Sequence, residues 1–380
     1  PDAPPAVLPL PRSGGGREGV LPAPRFTATY RIQSDAASIE ARAQSIAVEQ
    51  SVEMPVSAIA EAEVLRDIVG QVEAIEGRGN DVFDVRIGLA TATTGHEAGQ
   101  FLNMVFGNTS LHADVVLLDV DIPADLAAAF GGPRHGIDGL RRRAGAFGRA
   151  LTCSALKPQG VPPARLAQLA EQFARGGIDF IKDDHGLADQ SYSPFAERVA
   201  AIAGSVGRTG YVPSLSGDLD AMRRQIDIAR THGIDTVMIA PMLAGWATTQ
   251  ALVRHYPDVA FFAHPTMGGA ARIAPDLLIG KLFRLLGADA VIFPNHGGRF
   301  GYTPETCRRL ADQARVSWDG VRPSVPVPAG GMTLERVPEM LDFYGPDAML
   351  LIGGSLLAAR ERLTDETAAF TRAVAQHSYR

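Results

Sequence analysis

At 380 residues, 46% of them hydrophobic, the chain is long enough for two domains with substantial cores. A formal net charge of −6 leaves no basic footprint for nucleic acid, although local cations can still hold a small anionic substrate. Two cysteines, Cys153 and Cys307, make neither a disulfide framework nor a CxxC metal pattern, and no apolar run is long enough to span a bilayer, so a cytoplasmic protein with no membrane partner is expected.

Residues 1–25 are rich in proline and glycine and lack the apolar core of a signal peptide, which predicts a flexible leader. Between residues 26 and 130, "RFTATYRIQ" (25–33), "DVRIGLAT" (84–91) and "VVLLDVDIP" (115–123) have strand character. Residues 36–52 and 61–76 carry apolar side chains at helical spacing. Together they predict a compact N-terminal α+β domain. Residues 131–149, "GGPRHGIDGLRRRAGAFGR", form the expected linker.

From 150 to 376 the rhythm changes. "ALTCSALK" leads to a helix over 163–175, "DFIKDD" to one over 194–204 and "GYVPSLS" to one over 218–232. "DTVMIAPM" precedes a helix over 246–255, "VAFFAHPT" one over 275–286 and "DAVIFPNH" one over 304–315. "SVPVPAGG" leads to helix 333–344, and "DAMLLIGGS" to a last helix ending near Gln376. Eight strand–helix units in one run predict a (β/α)₈ barrel. A doubly wound sheet usually reverses its strand order earlier.

Chemistry in such barrels sits at the carboxyl ends of the strands. Those positions hold Lys157, the run Lys182-Asp183-Asp184-His185, then His264, Asn295-His296 and Arg299, and two glycine pairs. Lys157 could bind an anion or move protons at carbon; the plain alternative is a solvated strand-end lysine. His264 suits an active site or a satisfied core position. His296 and Arg299 lie in "NHGGRFG", either a glycine-flexible loop that closes over substrate or an ordinary surface loop. "AGGM" and "IGGS", with Gly331, Gly353 and Gly354, have the composition that brings backbone N–H groups to a phosphate after the seventh and eighth strands. Two tight turns are the alternative.

Taken in order, "YRI…IAVEQSVE", "VFGNTSLHADVVLLDVDIP", "FGGPRHGI", "LKP", "GGIDFIKDD", "PAGG" and "LIGG" resemble the RuBisCO large-chain superfamily across nearly the whole chain after the leader. The resemblance implies an α/β fold, a C-terminal TIM barrel preceded by an N-terminal ferredoxin-like domain. It implies that Lys182 is carbamylated by CO₂ and, with Asp184 and His185, holds Mg²⁺. It gives Lys157 the proton transfer at the substrate carbon, His264 an active-site position, and Gly331, Gly353 and Gly354 the phosphate. Glu49 matches a glutamate lent by a partner subunit, which implies a homodimer with shared sites.

The departures narrow the activity. KDDH replaces the family's KDDE, so the last metal position is His185. Gln159 stands for a second lysine, Pro265 for a phosphate-binding arginine, Met104 for an asparagine, Ile292 for a histidine and Met54-Pro55 for a Thr-Trp pair. Arg299 falls roughly where the carboxylase has its lid lysine. The chain therefore resembles the form IV RuBisCO-like proteins, without carboxylation of ribulose bisphosphate. The expected chemistry is formation of a metal-stabilised enediolate from a phosphorylated keto-sugar, an isomerase or enolase reaction. The alternatives are decarboxylation of a 3-oxo sugar-acid phosphate and a non-catalytic phosphate-metabolite sensor. His185 leaves three arrangements open: Mg²⁺ with a weak or displaced imidazole, a nitrogen-tolerant Mn²⁺ or Zn²⁺, or no metal, with Lys182 as an ammonium and His185 as acid/base.

Overall fold

The structure, a computed structural model, describes residues 23–379. The chain divides into two compact units. Among the described residues, one comprises those up to Phe130 together with Ala270–Leu277, and the other Gly131–Gly269 with those from Leu278.

The N-terminal unit is a four-stranded antiparallel sheet of β1 (Arg25–Gln33), β2 (Gln71–Gly79), β3 (Val82–Ala90) and β4 (Val115–Asp121), in the order β2-β3-β1-β4. Helices Ile39–Glu49 and Ala98–Phe106 complete a β-α-β-β-α-β ferredoxin-like arrangement. Alternation along β1 buries Phe26, Ala28, Tyr30 and Ile32. Strand β1 already begins at Arg25, the last residue of the expected leader; residues 1–22 of that leader lie outside the described residues.

The helix expected over 61–76 is a correction. Only Val64–Ile68 forms a short helical turn, and residues 71–76 belong to β2. Two local features override the helical spacing. A side chain at Gly70 would overlap the Ala47 carbonyl oxygen, so glycine is required where the chain enters β2. At the far end Asn80 and Asp81 have φ of 53° and 57°, the left-handed pair that closes a two-residue hairpin into β3.

The second unit is the barrel. Strands β5 (Leu151–Leu156), β6 (Phe180–Asp183), β7 (Gly210–Val212), β8 (Thr236–Ile239), β9 (Ala260–Ala263), β10 (Ala290–Pro294), β11 (Val325–Ala329) and β12 (Met349–Leu351) form one parallel sheet. Its order is β7-β6-β5-β12-β11-β10-β9-β8, and a bridge between Ser214 and Met238 joins the two ends. Helices Pro163–Arg175 and Pro304–Arg315 coincide with the predicted spans, each with proline in its first turn. The expected linker itself contains helix Gly136–Ala144, whose Leu140 joins the barrel core.

The interior is filled by every second residue: Leu151 and Cys153 on β5, Phe180 on β6, Ala260 and Phe262 on β9, Val325 and Val327 on β11, Met349 and Leu351 on β12. Continuing that two-residue period off the carboxyl ends reaches Lys157, Lys182 and Asp184, His264, Gly331 and Gly353. The apolar packing thus fixes which strand-end residues face the mouth. Among the described residues no helix is long and apolar enough to cross a membrane.

Candidate active site

Asp184 is the centre of the mouth. Its Oδ1 receives Lys157 Nζ at 2.7 Å and His185 Nδ1 at 3.3 Å, and its Oδ2 receives the Gln159 amide at 3.4 Å. Burial alone would raise the Asp184 carboxyl, but the donors His185 and Lys157 outweigh it and hold the group below the usual carboxylate range. Gly186 makes room for this arrangement, since a Cβ there would overlap Gln159 Nε2.

Lys182 is buried, with Nζ donating to the Asp183 carbonyl at 2.8 Å. Burial pulls its pKa down, toward the neutral amine. His264 closes the cluster. Its ring stacks on His185, centroids 4.7 Å apart and planes 5° from parallel. The Thr266 N–H donates to His264 Nδ1 at 3.2 Å, so the proton of the neutral ring sits on Nε2. Burial lowers the His264 pKa to about 2 and keeps the ring neutral.

Asp183 has a different task. It points out of the barrel, where Arg198 Nε donates at 3.2 Å, the Tyr211 hydroxyl at 2.7 Å and the Ser214 N–H at 3.1 Å. Arg198 also donates to the carbonyls of Ser193 at 2.6 Å and Ala188 at 2.8 Å, tying the 184–193 loop to the strand end. Arg198, Tyr211 and Thr266 escaped the sequence reading. Arg198 nevertheless leaves a signal, because it falls on the apolar face set by Phe195, Val199 and Ile202.

The remaining candidates lie in separate places. Gly330 and Gly331, with φ of 80° and 65°, form the loop after β11, and Gly353 precedes the short helix Gly354–Leu357 after β12. Ser355 Oγ donates to the Met332 carbonyl at 2.9 Å and joins these two loops. Arg299 lies in the loop after β10 with its guanidinium 4.9 Å from the Phe300 ring centroid, and no hydrogen bond links it to Lys157, Asp184 or His264 among the described residues. Neighbouring His296 is buried, and its Nε2 has no hydrogen-bond partner. Glu49 ends a helix of the N-terminal unit and accepts from Asn108 Nδ2 at 2.8 Å.

Among the described residues no three His, Cys, Asp or Glu side chains group as metal ligands. Asp184 and His185 offer one oxygen and one nitrogen. An oxygen donor on Lys182 would complete a set of three. A neutral amine is the form that adds to CO₂, and burial favours that form at Lys182. These residues therefore fit a metal that a carbamylated Lys182, Asp184 and His185 would hold.

The chain matches the family described as ribulose bisphosphate carboxylase large chain, catalytic domain, over residues 136–360. A 5-methylthioribulose-1-phosphate isomerase of Rhodospirillum rubrum is 62% identical over 360 residues, 92% of this chain and 96% of the relative. A 2,3-diketo-5-methylthiopentyl-1-phosphate enolase of Geobacillus kaustophilus is 32% identical over 78% of each chain. The crystal structure of a RuBisCO-like protein from Rhodopseudomonas palustris superposes with a TM-score of 0.88 at 50% identity, over 94% of this chain and 99% of that one.

Proposed function

This chain belongs to the RuBisCO large-chain family, among its RuBisCO-like proteins, and from that premise we propose that it isomerises 5-methylthioribulose 1-phosphate. The relatives named as isomerase and enolase support an isomerase- or enolase-type enzyme, and the 62% identity to the isomerase favours that substrate. The observation that carries the reading is Lys157 held 2.7 Å from an ionised Asp184, beside a neutral His264.

Isomerisation of a ketose requires a proton to leave the carbon beside the carbonyl. The C–H electron pair becomes the C=C bond, and the carbonyl π pair moves onto oxygen, giving an enediolate. A proton delivered to the former carbonyl carbon, with the neighbouring hydroxyl giving its own proton to the first oxygen, then leaves the carbonyl at the neighbouring position. Lys157 Nζ is the proton carrier, taking the proton from one carbon and returning it to the other, and the ionised Asp184 holds the ammonium between the two transfers. His264 donates its Nε2–H to the oxygen where charge develops. A neutral imidazole gives this hydrogen bond without protonating the oxygen outright. Backbone N–H groups at Gly331, Gly353 and Gly354 hold the phosphate, and Arg299 covers the substrate from the loop after β10. Carbamylated Lys182, Asp184 and His185 would hold Mg²⁺, or the more nitrogen-tolerant Mn²⁺ or Zn²⁺, which supplies Lewis-acid stabilisation of the substrate oxygens when bound. A homodimer in which Glu49 of the partner subunit completes each site belongs to the same proposal.

Incubation with 5-methylthioribulose 1-phosphate followed by ³¹P NMR tests it. A new sugar-phosphate resonance with no free phosphate and no CO₂ release is expected. Unchanged substrate, with CO₂ released from a 3-oxo sugar-acid phosphate instead, would replace isomerisation with decarboxylation. Tight binding without turnover of either would make the chain a sensor.

A further inference from the structure

The loops after β10 and β11 are in backbone contact. A Cβ on Gly331 would lie 2.6 Å from Gly298 Cα, and one on Gly298 would lie 3.0 Å from the Gly330 carbonyl oxygen. Only glycines allow this approach. One guanidinium holds a carbonyl of each loop: Arg336 Nη1 donates to the His296 carbonyl at 3.2 Å and to the Gly331 carbonyl at 3.1 Å. Glu339 grips the other edge of the guanidinium, with Oε2 3.3 Å from Nε and Oε1 3.2 Å from Nη2. The arginine is thereby aimed, and much of its charge is neutralised. Its contribution is geometric: it fixes the spacing of two loops rather than adding a free cation to the mouth.

We infer that Arg336 is a positioning residue for the substrate phosphate, clamping the Gly330-Gly331 turn against the His296–Gly298 turn. The inference deepens the proposed function and rests on its assignment of Gly331 to the phosphate. The glycines at the contact have no side chains to hold it, and the one other side-chain link, Asn295 Nδ2 to Met332 Sδ at 3.1 Å, is to a weak sulfur acceptor beside the turns rather than to their carbonyls. Lysine at 336 keeps the charge but lacks the planar fork that reaches Glu339 and two carbonyls together. Methionine keeps the length without any donor.

The test uses the full-length enzyme as wild type, Arg336→Lys and Arg336→Met, with three readouts. These are amide hydrogen exchange of segments 296–301 and 330–332, kcat and KM for the sugar phosphate, and competitive inhibition by inorganic phosphate. Two variants guard against misfolding of one. The clamp predicts that exchange in both segments rises together, that KM and the phosphate inhibition constant rise in parallel by about tenfold, the scale of a charge-assisted hydrogen bond, and that kcat changes little. Exchange unchanged in both segments, or raised in only one, overturns the clamp. Exchange raised in both with KM and phosphate inhibition unchanged keeps the clamp but overturns its role toward phosphate, and with it the assignment of Gly331.

Discussion

Replacing Arg198 by methionine strikes the support of the site without touching the mouth. Arg198 and Asp183 are both fully buried, and their ion pair is joined by Tyr211 and Ser214 on the Asp183 side. Removing the cation leaves Asp183 in the interior with two neutral donors and no counter-charge. Breaking a buried pair in this way costs about 3–5 kcal/mol. For a unit of this size that is a fall in melting temperature of roughly 6–20 °C. The variant also unties the carbonyls of Ala188 and Ser193, so kcat should fall even at temperatures where the barrel stays folded. Its pH dependence identifies the cause. Burial already raises the Asp183 carboxyl, and losing Arg198 raises it further. A carboxyl raised in the folded state binds more protons there than when unfolded, so stability rises as pH falls toward about 4. The gap between variant and wild type should therefore shrink from pH 7 to pH 5 in scanning fluorimetry. Adding Asp183→Asn should recover part of the loss. A fall of under about 2 °C, or a gap that widens on acidification, would refute the reasoning.

Further consequences can be checked separately. His264, held neutral down to about 2, should keep constant imidazole NMR shifts from pH 8 to pH 5, and a titration midpoint near 6.5 would contradict its role as a neutral donor. Gly186→Ala should push the Gln159 amide off Asp184 and cut kcat by about tenfold with little loss of stability; unchanged kinetics would show that this contact is idle. ¹³C-bicarbonate with Mg²⁺ should give a carbamate signal that Lys182→Ala abolishes, whereas a signal that persists in the variant, or none in the wild type, removes the metal centre from the proposal.

The barrel was legible because its code is periodic. Alternation on the strands and the helical spacing between them point to the same architecture, and helices 163–175 and 304–315 fall where that spacing puts them. The same alternation sorts the KDDH run, sending Lys182 and Asp184 to the mouth and Asp183 outward to Arg198. β2 was not legible by that rule. Its spacing suits a helix, and the deciding facts are the lack of room for a side chain at Gly70 against the Ala47 carbonyl and the Asn80-Asp81 hairpin, which exists only once β3 is paired. Contacts made through backbone atoms were equally hidden. Thr266 orients His264 through a backbone N–H, and Arg336 reaches two carbonyls, neither of which any side-chain motif encodes.

The central claim is that Lys157 moves a proton at a substrate carbon. Its most direct test is ¹H NMR of 5-methylthioribulose 1-phosphate in D₂O with the wild-type enzyme and with Lys157→Met. The account predicts that the wild type replaces hydrogen by deuterium at a carbon beside the carbonyl, and that the variant loses at least about a hundredfold of that exchange while still binding the substrate. Exchange at the wild-type rate in the variant would contradict it.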